Sequence, residues 1–394
     1  MPGDRPILIA GAGIGGLALA IALARRGIGS RVLERHTEYS GAGAGIQLGP
    51  NAVGVLSRLG VAERLAPYVG KPHTLRVFDG GSARVITNFP LGPWLEARHG
   101  APYWVAHRAD LHKALFDTAA EEPLIEIIPG CDVTSFDCTG DDVSVKTAAG
   151  DTHRGTLLVG ADGLWSTVRR QLWPDSPLTY SGRTAARAVL PRSRLPAKFQ
   201  EAITGIWLAP SAHIVHYPVR GGEDLALAIL AEEDWPGEGW GLPVDRDALL
   251  ARLHRFSPEL ISLLALADDW RRWPLYDPTP LAAWSRNRVT LLGDAAHPVL
   301  PFLAQGGALA LEDAEVLSAA VAKWSDAPQR ALAHYERVRH PRAVKMQQTS
   351  RQNGLIYHMA PPLSYGRDLT LRLLPGHTMM ARYDWVYGWQ PEAL

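Results

Sequence analysis

The stretch ILIAGAGIGGLALAIALA, residues 7–24, decides the fold that we expect for this chain. Its apolar start predicts a short buried strand, and the pattern that follows predicts a helix from Ile14 to Arg26. Between them, the glycines of GAGIGG match the pattern G-x-G-x-x-G. The first glycine permits a tight turn, the second lets the backbone approach a pyrophosphate, and the third lets helix and strand pack closely. The stretch therefore predicts a Rossmann-type dinucleotide site.

A second strand, SRVLER at residues 30–35, completes a βαβ unit and predicts a parallel sheet flanked by helices. Glu34 stands 18 residues after Gly16, where a carboxylate can accept hydrogen bonds from a ribose diol. A glycine-rich turn without a ligand is the alternative, but strand, glycines, helix and acid all stand where a dinucleotide site needs them. The motif alone does not separate NAD from FAD.

The same apolar stretch carries no charge and is long enough to suggest a membrane span. Its glycines argue against a continuous helix, and Asp4 and Arg5 do not form the basic start of a signal peptide. We therefore expect no membrane span and a cytoplasmic location.

The composition excludes some classes of partner. The 394 residues allow two or three domains or one body with interleaved parts, and 46% of them are hydrophobic. Lys+Arg and Asp+Glu both number 40, so no basic excess exists to neutralise phosphates, and nucleic acid is not an expected partner. Cys131 and Cys138 cannot form a disulfide framework, and no cluster of metal ligands surrounds them, so no metal is predicted.

The rest of the chain predicts two interleaved sheets. Hairpin signals and alternating runs indicate antiparallel strands, and the α/β pattern returns after them. The predicted fold class is α/β, with a Rossmann-type parallel sheet interleaved with an antiparallel substrate-binding sheet and a helical C-terminus. The predicted parts are a nucleotide-binding domain of residues 1–73, 101–179 and 281–345, a substrate-binding domain of residues 74–100 and 180–280, and a C-terminal helical segment of residues 346–394.

Two further predicted strands are followed by an aspartate, in Gly160-Ala161-Asp162-Gly163 and in Gly293-Asp294. Taken alone, either aspartate caps a following helix as readily as it binds a ligand. Together with the dinucleotide motif and the length of the chain, the two aspartates point to FAD.

These motifs resemble those of a known family. GAGIGG with Glu34, HRADL (107–111), GADGLWSTVR (160–169) and GDAAHPVLPFLAQGGALALEDA (293–314) resemble, in order and spacing, the single-component flavin-dependent aromatic hydroxylases, the para-hydroxybenzoate hydroxylase group. The resemblance covers nearly the whole chain. It implies an FAD enzyme that hydroxylates a phenolic aromatic acid with O2 through a flavin C4a-hydroperoxide. NADH or NADPH would dock transiently, because the sequence has no second G-x-G-x-x-G for it.

The resemblance also implies contacts to the cofactor. The motif glycines would cradle the FAD pyrophosphate, Glu34 would hold the adenosine ribose, and Asp294 would hold the ribityl chain or the pyrophosphate. The loop GAGAGIQLGPNA (41–52) would flank the flavin, and the helix after Gly306 would point its positive end at the N1–C2 carbonyl edge of the ring. Arg35 and Arg108 would lie along the adenine-side ribose and phosphates, and Asp162 would be linked to both FAD and the pyridine nucleotide. The other residues expected at the cofactor are Gly11, Gly13, Gly15, Gly16, Glu34, Gln47, Asp294, Gly306 and Gly307.

The substrate side is expected in HIVHYP, residues 213–218. Strand alternation puts His213 and Tyr217 on one face and His216 on the other. On periodicity alone, both histidines are surface or cross-strand residues. The resemblance is strongest to the subgroup of 3-hydroxybenzoate 6-hydroxylase, salicylate hydroxylase and 6-hydroxynicotinate 3-monooxygenase. It implies His213 as the base that deprotonates the phenol, Tyr217 as a hydrogen-bond partner in the pocket, and Gln305 as a polar contact to substrate beside the flavin.

The sequence does not decide which group binds a substrate carboxylate. The candidates are Arg183, Arg187, Arg220 and a neutral subsite of backbone N–H and hydroxyl groups. His297 is expected to support its loop. The first interpretation is a 3-hydroxybenzoate-like hydroxylase that acts as a monomer or homodimer. The alternatives are a decarboxylative hydroxylase of the salicylate or 6-hydroxynicotinate type, a tailoring monooxygenase on a larger aromatic, and a nucleotide-binding protein in which FAD is structural.

Overall fold

The computed structural model describes residues 5–38, 45–235 and 239–392. Residues 41–44 of the loop expected to flank the flavin lie outside these ranges, whereas Gln47 lies within them. The strands, in chain order, are β1 Ile7–Ala10, β2 Ser30–Glu34, β3 Gly45–Leu48, β4 Thr74–Asp79, β5 Val85–Pro90, β6 Trp104–His107, β7 Ile125–Pro129, β8 Val133–Thr139, β9 Asp142–Thr147, β10 Thr152–Gly155, β11 Leu158–Gly160, β12 Tyr180–Pro191, β13 Ile203–Ala209, β14 Ala212–Val219, β15 Asp224–Glu232, β16 Leu242–Pro243, β17 Arg271–Tyr276 and β18 Val289–Leu291.

Helices cover both sheets and form the C-terminal part of the described chain. They are α1 Ile14–Ala24, α2 Pro50–Arg58, α3 Ala62–Leu65, α4 Gly92–His99, α5 Arg108–Ala120, α6 Thr167–Leu172, α7 Arg246–Ala251, α8 Pro258–Leu264, α9 Gly306–Lys323, α10 Pro328–Tyr357, α11 Leu363–Leu373, α12 Gly376–Ala381 and α13 Asp384–Tyr387. None of the helices in the described ranges is long and apolar enough to cross a membrane.

A five-stranded parallel sheet has the order β18-β11-β1-β2-β7. Helix α1 is buried on nearly all sides because it lies between this sheet and α9, which explains its run of alanine and leucine without a polar face. The helix ends at Ala24, two residues earlier than predicted, and the chain turns at Gly27 with φ of +74°.

An eight-stranded sheet has the order β16-β17-β12-β15-β14-β13-β4-β5. Neighbouring strands in this sheet are antiparallel, except that β13 and β4 run parallel, which the long stretch of chain between them permits. Apolar residues of α7 and α8 cover one face. The other face packs against the loop around Phe302 and against α10, so it faces the carboxyl end of the parallel sheet.

Two small antiparallel sheets complete the fold. Strands β8, β9 and β10 form one of them, and β3 pairs with β6 in the other. The α/β class with interleaved sheets and a helical C-terminus is confirmed. The boundary predicted between residues 345 and 346 falls inside α10, which continues through Pro341, and the other domain limits stay a prediction.

The C-terminal aromatic residues pack onto the body of the protein. Tyr387 is 9% exposed and lies edge-on to Tyr103, with ring centroids 6.2 Å apart. Trp389 lies beside the guanidinium group of Arg339, which is 5.3 Å from its ring centre. The tail therefore covers the helices that support the site described next.

Candidate active site

The glycine turn after β1 leaves open space where a phosphate would lie. Gly11 has φ of +103°, and a Cβ atom there would stand 2.6 Å from the carbonyl oxygen of Ala161. At Gly16 a Cβ would clash with the carbonyl oxygen of Gly11, so this position needs glycine for close packing of α1 on β1. At Gly13, by contrast, no described heavy atom lies within 4 Å of a built Cβ. The free N–H groups at the start of α1 face anionic ligands in such a position.

Gly15 lies where two helices pack closely. A Cβ there would meet Leu292 Cδ2 at 2.5 Å and Ala310 at 3.2 Å. This glycine therefore lets α1 approach α9 closely, and its contacts are to protein rather than to open space.

Glu34 lies beside the glycine turn. Its Oε2 atom accepts a hydrogen bond from the Ala12 N–H at 2.7 Å, and its Oε1 atom accepts one from the His36 N–H at 3.0 Å. These bonds fix the carboxylate at the end of β2 and leave lone pairs for a diol. Arg35 and Arg108 are both exposed, so their guanidinium groups are available to a ligand at this edge.

Asp162 caps a helix and also borders the glycine turn. Its Oδ2 atom accepts hydrogen bonds from the N–H groups of Thr167 at 2.8 Å and Val168 at 3.2 Å, at the start of α6. Its Oδ1 atom is buried and has no hydrogen-bond partner in the described part of the chain. Burial raises the pKa of this carboxyl. A donor from a ligand would satisfy the second oxygen.

Arg169 ties this motif to the next one. It is 4% exposed and donates hydrogen bonds to the carbonyl oxygens of Asp294 at 3.3 Å and Ala295 at 3.2 Å. This role of Arg169 was not predicted from the sequence. Its place in the GADGLWSTVR motif is the signal that could have identified it.

Asp294 and Gly306 face each other across a second open space. Asp294 is exposed although its neighbours are buried. Its Oδ1 atom lies 3.8 Å from a Cβ built on Gly306, and no other described heavy atom lies within 4 Å of that Cβ. Gly307 instead packs on Ile46, whose Cδ1 atom would be 2.6 Å from a Cβ. The open N-terminus of α9 therefore stands beside a carboxylate at the end of β18.

Gln305 precedes α9 and is buried, with 2% exposure. Its Oε1 atom accepts a hydrogen bond from Asn51 Nδ2 at 3.0 Å, and the same Asn51 atom donates to Glu312 Oε1 at 2.7 Å. Because its oxygen is engaged, Gln305 offers its NH2 group as a donor. Gln47, on β3, accepts a hydrogen bond from the Tyr103 hydroxyl at 2.5 Å.

A buried ionic cluster holds this loop in place. Asp313 Oδ2 lies 2.6 Å from His297 Nε2 and accepts a hydrogen bond from the Gly293 N–H at 3.1 Å, while Arg339 Nε donates to Asp313 Oδ1 at 2.7 Å. Burial alone would raise the pKa of Asp313, but His297 and Arg339 lower it to about 2. His297 supports its loop, as expected. The role of Asp313 was not predicted from the sequence, although an acidic pair within an apolar helix was a signal for it.

His213 and Tyr217 share the face of the large sheet that packs toward α9 and α10. His213 is 2% exposed, and its ring centre is 5.5 Å from that of Phe302. Tyr217 is buried against Gly45 of β3. Burial raises the pKa of Tyr217 to about 12, against the opposing effect of the Arg187 charge, so this phenol stays protonated at neutral pH.

His216 faces away, as strand alternation predicts. Its ring lies 6.3 Å from that of Trp207 and 5.7 Å from that of Phe199, on the face covered by α7 and α8. Burial lowers the pKa of His216 to about 4, so it is neutral. Trp207 is 1% exposed and stacks on Phe78, so it packs the core and does not line a pocket with His213.

The three candidate arginines have different partners. Arg220 Nη1 lies 3.0 Å from Asp224 at the surface, and Arg183 Nη2 lies 3.4 Å from Glu232. Arg187 is half-buried and pairs with no carboxylate among the described residues. Its guanidinium group lies 5.6 Å from the ring centre of Trp273.

Arg187 also lies on the same sheet face as His213 and Tyr217. Arg187 pairs with Ala228 of β15, and Ala228 pairs with Val215 of β14, so these three residues form one row on one face of the sheet. Val215 stands between His213 and Tyr217 in the alternation of β14, so all of these side chains share that face. Ala228 is partly exposed although its strand lies between two others. Open space therefore lies above this row, between the arginine and the strand that carries His213 and Tyr217.

Comparisons with known proteins agree with this geometry. The model of the FAD binding domain family matches residues 4–350. The 3-hydroxybenzoate 6-hydroxylase of Polaromonas naphthalenivorans is 35% identical over 394 residues, which cover 98% of this chain and 97% of that protein. The 6-hydroxynicotinate 3-monooxygenase of Bordetella bronchiseptica is 32% identical over 375 residues, which cover 94% and 97%. Klebsiella pneumoniae HpxO complexed with FAD and uric acid superposes with a TM-score of 0.86 at 26% identity, covering 97% of this chain and 96% of that chain.

These findings confirm the fold and the cofactor expected from the motifs. The open spaces at Gly13 and Gly306, the free carboxylate oxygen of Asp162 and the exposed Asp294 fit FAD along the edge of the parallel sheet. The chain belongs to the FAD binding domain family and is an FAD-dependent monooxygenase.

Proposed function

We propose that this enzyme hydroxylates a monocyclic phenolic acid of the 3-hydroxybenzoate type, with O2 and with NADH or NADPH as electron donor. The observation that carries the proposal is the shared sheet face of His213, Tyr217 and Arg187, which offers a base, a phenol donor and a cation without a carboxylate partner in the described chain. The 35% identity to a 3-hydroxybenzoate 6-hydroxylase supports the substrate class.

We assign FAD to the edge of the parallel sheet. Gly13 and the start of α1 would bind the pyrophosphate, Glu34 the adenosine ribose, and Asp294 the ribityl chain. The N-terminus of α9 at Gly306 would stabilise negative charge on the cofactor ring. When bound, FAD would use electrons from NADH or NADPH to activate O2, which supplies the oxygen atom for hydroxylation. The remaining residues expected at the cofactor, Gly11, Gly16, Arg35, Gln47, Arg108, Asp162 and Gly307, stay proposals of the same kind, and Gly15 is proposed to act through packing.

His213 would accept the proton of the substrate phenol. A phenolate pushes electron density into the ring, which makes ring carbon a better nucleophile toward activated oxygen. A neutral imidazole is suited to this step because one of its ring nitrogens carries a lone pair that can accept a proton. Burial keeps His213 neutral before the reaction by lowering its pKa well below the ordinary value, and the charge of Arg183 acts in the same direction.

Tyr217, Gln305 and Arg187 would orient the ring. Tyr217 is protonated and can donate a hydrogen bond to the phenolate oxygen. Gln305 can donate from its amide NH2 group. Arg187 would pair with the substrate carboxylate, since a guanidinium group binds carboxylates through two parallel hydrogen bonds.

The test is a substrate screen with product identification. We expect 3-hydroxybenzoate to accelerate NADH or NADPH oxidation by the purified holoenzyme and to give a dihydroxybenzoate. Release of CO2 with salicylate or 6-hydroxynicotinate would instead support the decarboxylative alternative. If no phenolic acid raises oxidation above the slow background of the flavin, the proposed function is wrong.

A further inference from the structure

Three titratable side chains form a line from the buried His213 to the surface. His213 Nδ1 lies 2.9 Å from His358 Nε2, and His358 Nδ1 lies 3.3 Å from Glu232 Oε1. His213 and His358 are 2% and 7% exposed, whereas the side chain of Glu232 is 44% exposed. The line therefore joins the proposed base to solvent through one buried imidazole.

Backbone contacts hold the line together. Ser211 lies in the turn between β13 and β14, with φ of +62°. Its N–H group donates to the carbonyl oxygen of His358 at 3.3 Å, and its own carbonyl oxygen accepts from the Glu232 N–H at 2.9 Å. The end of α10 and the end of β15 are thus fixed to the strand that carries His213.

The hydrogen bonds determine which ring nitrogens carry protons. An ionised carboxylate can only accept, so His358 Nδ1 must donate to Glu232. His358 Nε2 is then an acceptor, and His213 Nδ1 must carry the proton between the two rings. His213 Nε2 is left with a lone pair, and it has no hydrogen-bond partner among the residues that the structure describes. This tautomer is the one that a base needs.

The surroundings of His358 and Glu232 disfavour a proton that stays on either side chain, so a proton that reaches them passes on to solvent. Arg183 faces the line, with its Nη2 atom 3.4 Å from Glu232 Oε1. Burial lowers the pKa of His358 to about 4, with the Arg183 charge in the same direction and Glu232 opposing. Partial burial would raise the pKa of Glu232, but bonds from Ser211 and His358 and the charge of Arg183 hold it below its ordinary value. Tyr357, whose ring packs 5.2 Å from that of His213, stays neutral because burial raises its pKa.

We propose that His358 and Glu232 form a relay that carries the phenol proton from His213 to solvent. The phenol O–H bond breaks and a bond from hydrogen to His213 Nε2 forms. The proton on His213 Nδ1 then moves to His358 Nε2, and the proton on His358 Nδ1 moves to Glu232, which releases it to water. The electron pair of the O–H bond stays on the phenolate oxygen. This inference rests on the proposed function, since it needs a phenolic substrate at His213.

The experiment measures proton release apart from turnover. Oxidised holoenzyme without NADH or NADPH is mixed with 3-hydroxybenzoate in weak buffer, and a pH indicator follows proton release in a stopped-flow instrument. We expect E232Q and H358Q to slow the release by about tenfold and to lower kcat to a similar extent, with KM changed less than about twofold. If His358 and Glu232 only supported the structure of the pocket, their replacement would change KM as well as kcat.

E201Q is the matched control. Glu201, just before β13, is also a partly exposed acid, and it pairs with Arg76 at 2.8 Å, but it has no contact with a histidine of the line. Its release rate should equal that of the wild type. If H358Q loses FAD through misfolding, the surface variant E232Q still decides the question. The relay is refuted if E232Q releases protons at the wild-type rate, or if E201Q is slowed as much as E232Q. If the wild type hydroxylates no phenolic acid, the proposed function itself fails.

Discussion

Replacing Arg187 with glutamine tests the proposed partner of the substrate carboxylate. No carboxylate of the described chain pairs with this guanidinium group, so its removal leaves no protein charge unpaired. The protein loses the contact with the Trp273 ring, 5.6 Å away, which is worth about 0.5–1 kcal/mol. It also loses the charge that opposes the rise in the pKa of Tyr217, and this phenol stays protonated without it. The thermal midpoint and the FAD content of R187Q should therefore stay close to those of the wild type.

The expected loss is in substrate binding. A charge-assisted hydrogen bond contributes about 1.5–3 kcal/mol, and the half-buried position of Arg187 favours the lower part of that range. A loss of about 2 kcal/mol corresponds to a KM about 30-fold higher, because each 1.4 kcal/mol is about tenfold. The neutral substrate analogue 3-hydroxybenzamide should lose little, since it offers no carboxylate.

Steady-state kinetics with both compounds measure this difference. R220Q is the matched control, because Arg220 pairs with Asp224 at the surface and should not affect KM. The reasoning would be refuted if R187Q raised KM for the acid by less than about twofold, or if it affected acid and amide equally.

Three further predictions follow from the site. G13A should keep the fold but weaken FAD binding at least about tenfold, because the new methyl group enters the space where the phosphate would lie. G16A should instead lower the thermal midpoint, because its methyl group clashes with the carbonyl oxygen of Gly11. Fluorescence titration with FAD measures the first effect, and thermal unfolding measures the second. H213A should lower kcat by about 10²–10⁴-fold, whereas H216F should leave kcat unchanged. An equal loss of kcat in both variants, measured by steady-state kinetics, would contradict the placement of the two histidines on opposite faces of the sheet. The pKa of Asp313 falls from 3.8 to about 2 on folding. Its ionised form therefore adds about 2 kcal/mol to the free energy of unfolding above about pH 4, and this stabilisation is lost as pH falls toward 2. Urea unfolding at a series of pH values should show this loss in the wild type and a flatter dependence on pH in D313N.

The local motifs could be predicted from sequence because their physics is local. The glycine turn needs a positive φ at Gly11 and close packing at Gly16, and only glycine meets both needs. Strand alternation correctly separated His213 from His216, because a strand has a period of two residues. The helical boundaries were less certain, since the end of α1 depends on a turn at Gly27 rather than on hydrophobic spacing.

Partners distant in sequence could not be predicted. His358 lies 145 residues from His213, and no pattern in either segment indicates that the two rings meet. The choice among the three arginines depends on which of them has an acidic partner. Arg220 pairs locally with Asp224, but the pairing of Arg183 with Glu232 follows only from the alignment of β12 with β15. The cluster of Asp313 and Arg339 likewise forms only when α9 packs on α10.

The central claim is that this flavoenzyme holds an ionisable aromatic acid beside its cofactor. Its most direct test is the ratio of hydroxylated product to NADH or NADPH consumed, measured by chromatography after complete conversion of 3-hydroxybenzoate in air-saturated buffer. We expect a ratio near one, with a dihydroxybenzoate as product. Consumption of the electron donor with no hydroxylated aromatic product, whichever phenolic acid is added, would contradict it.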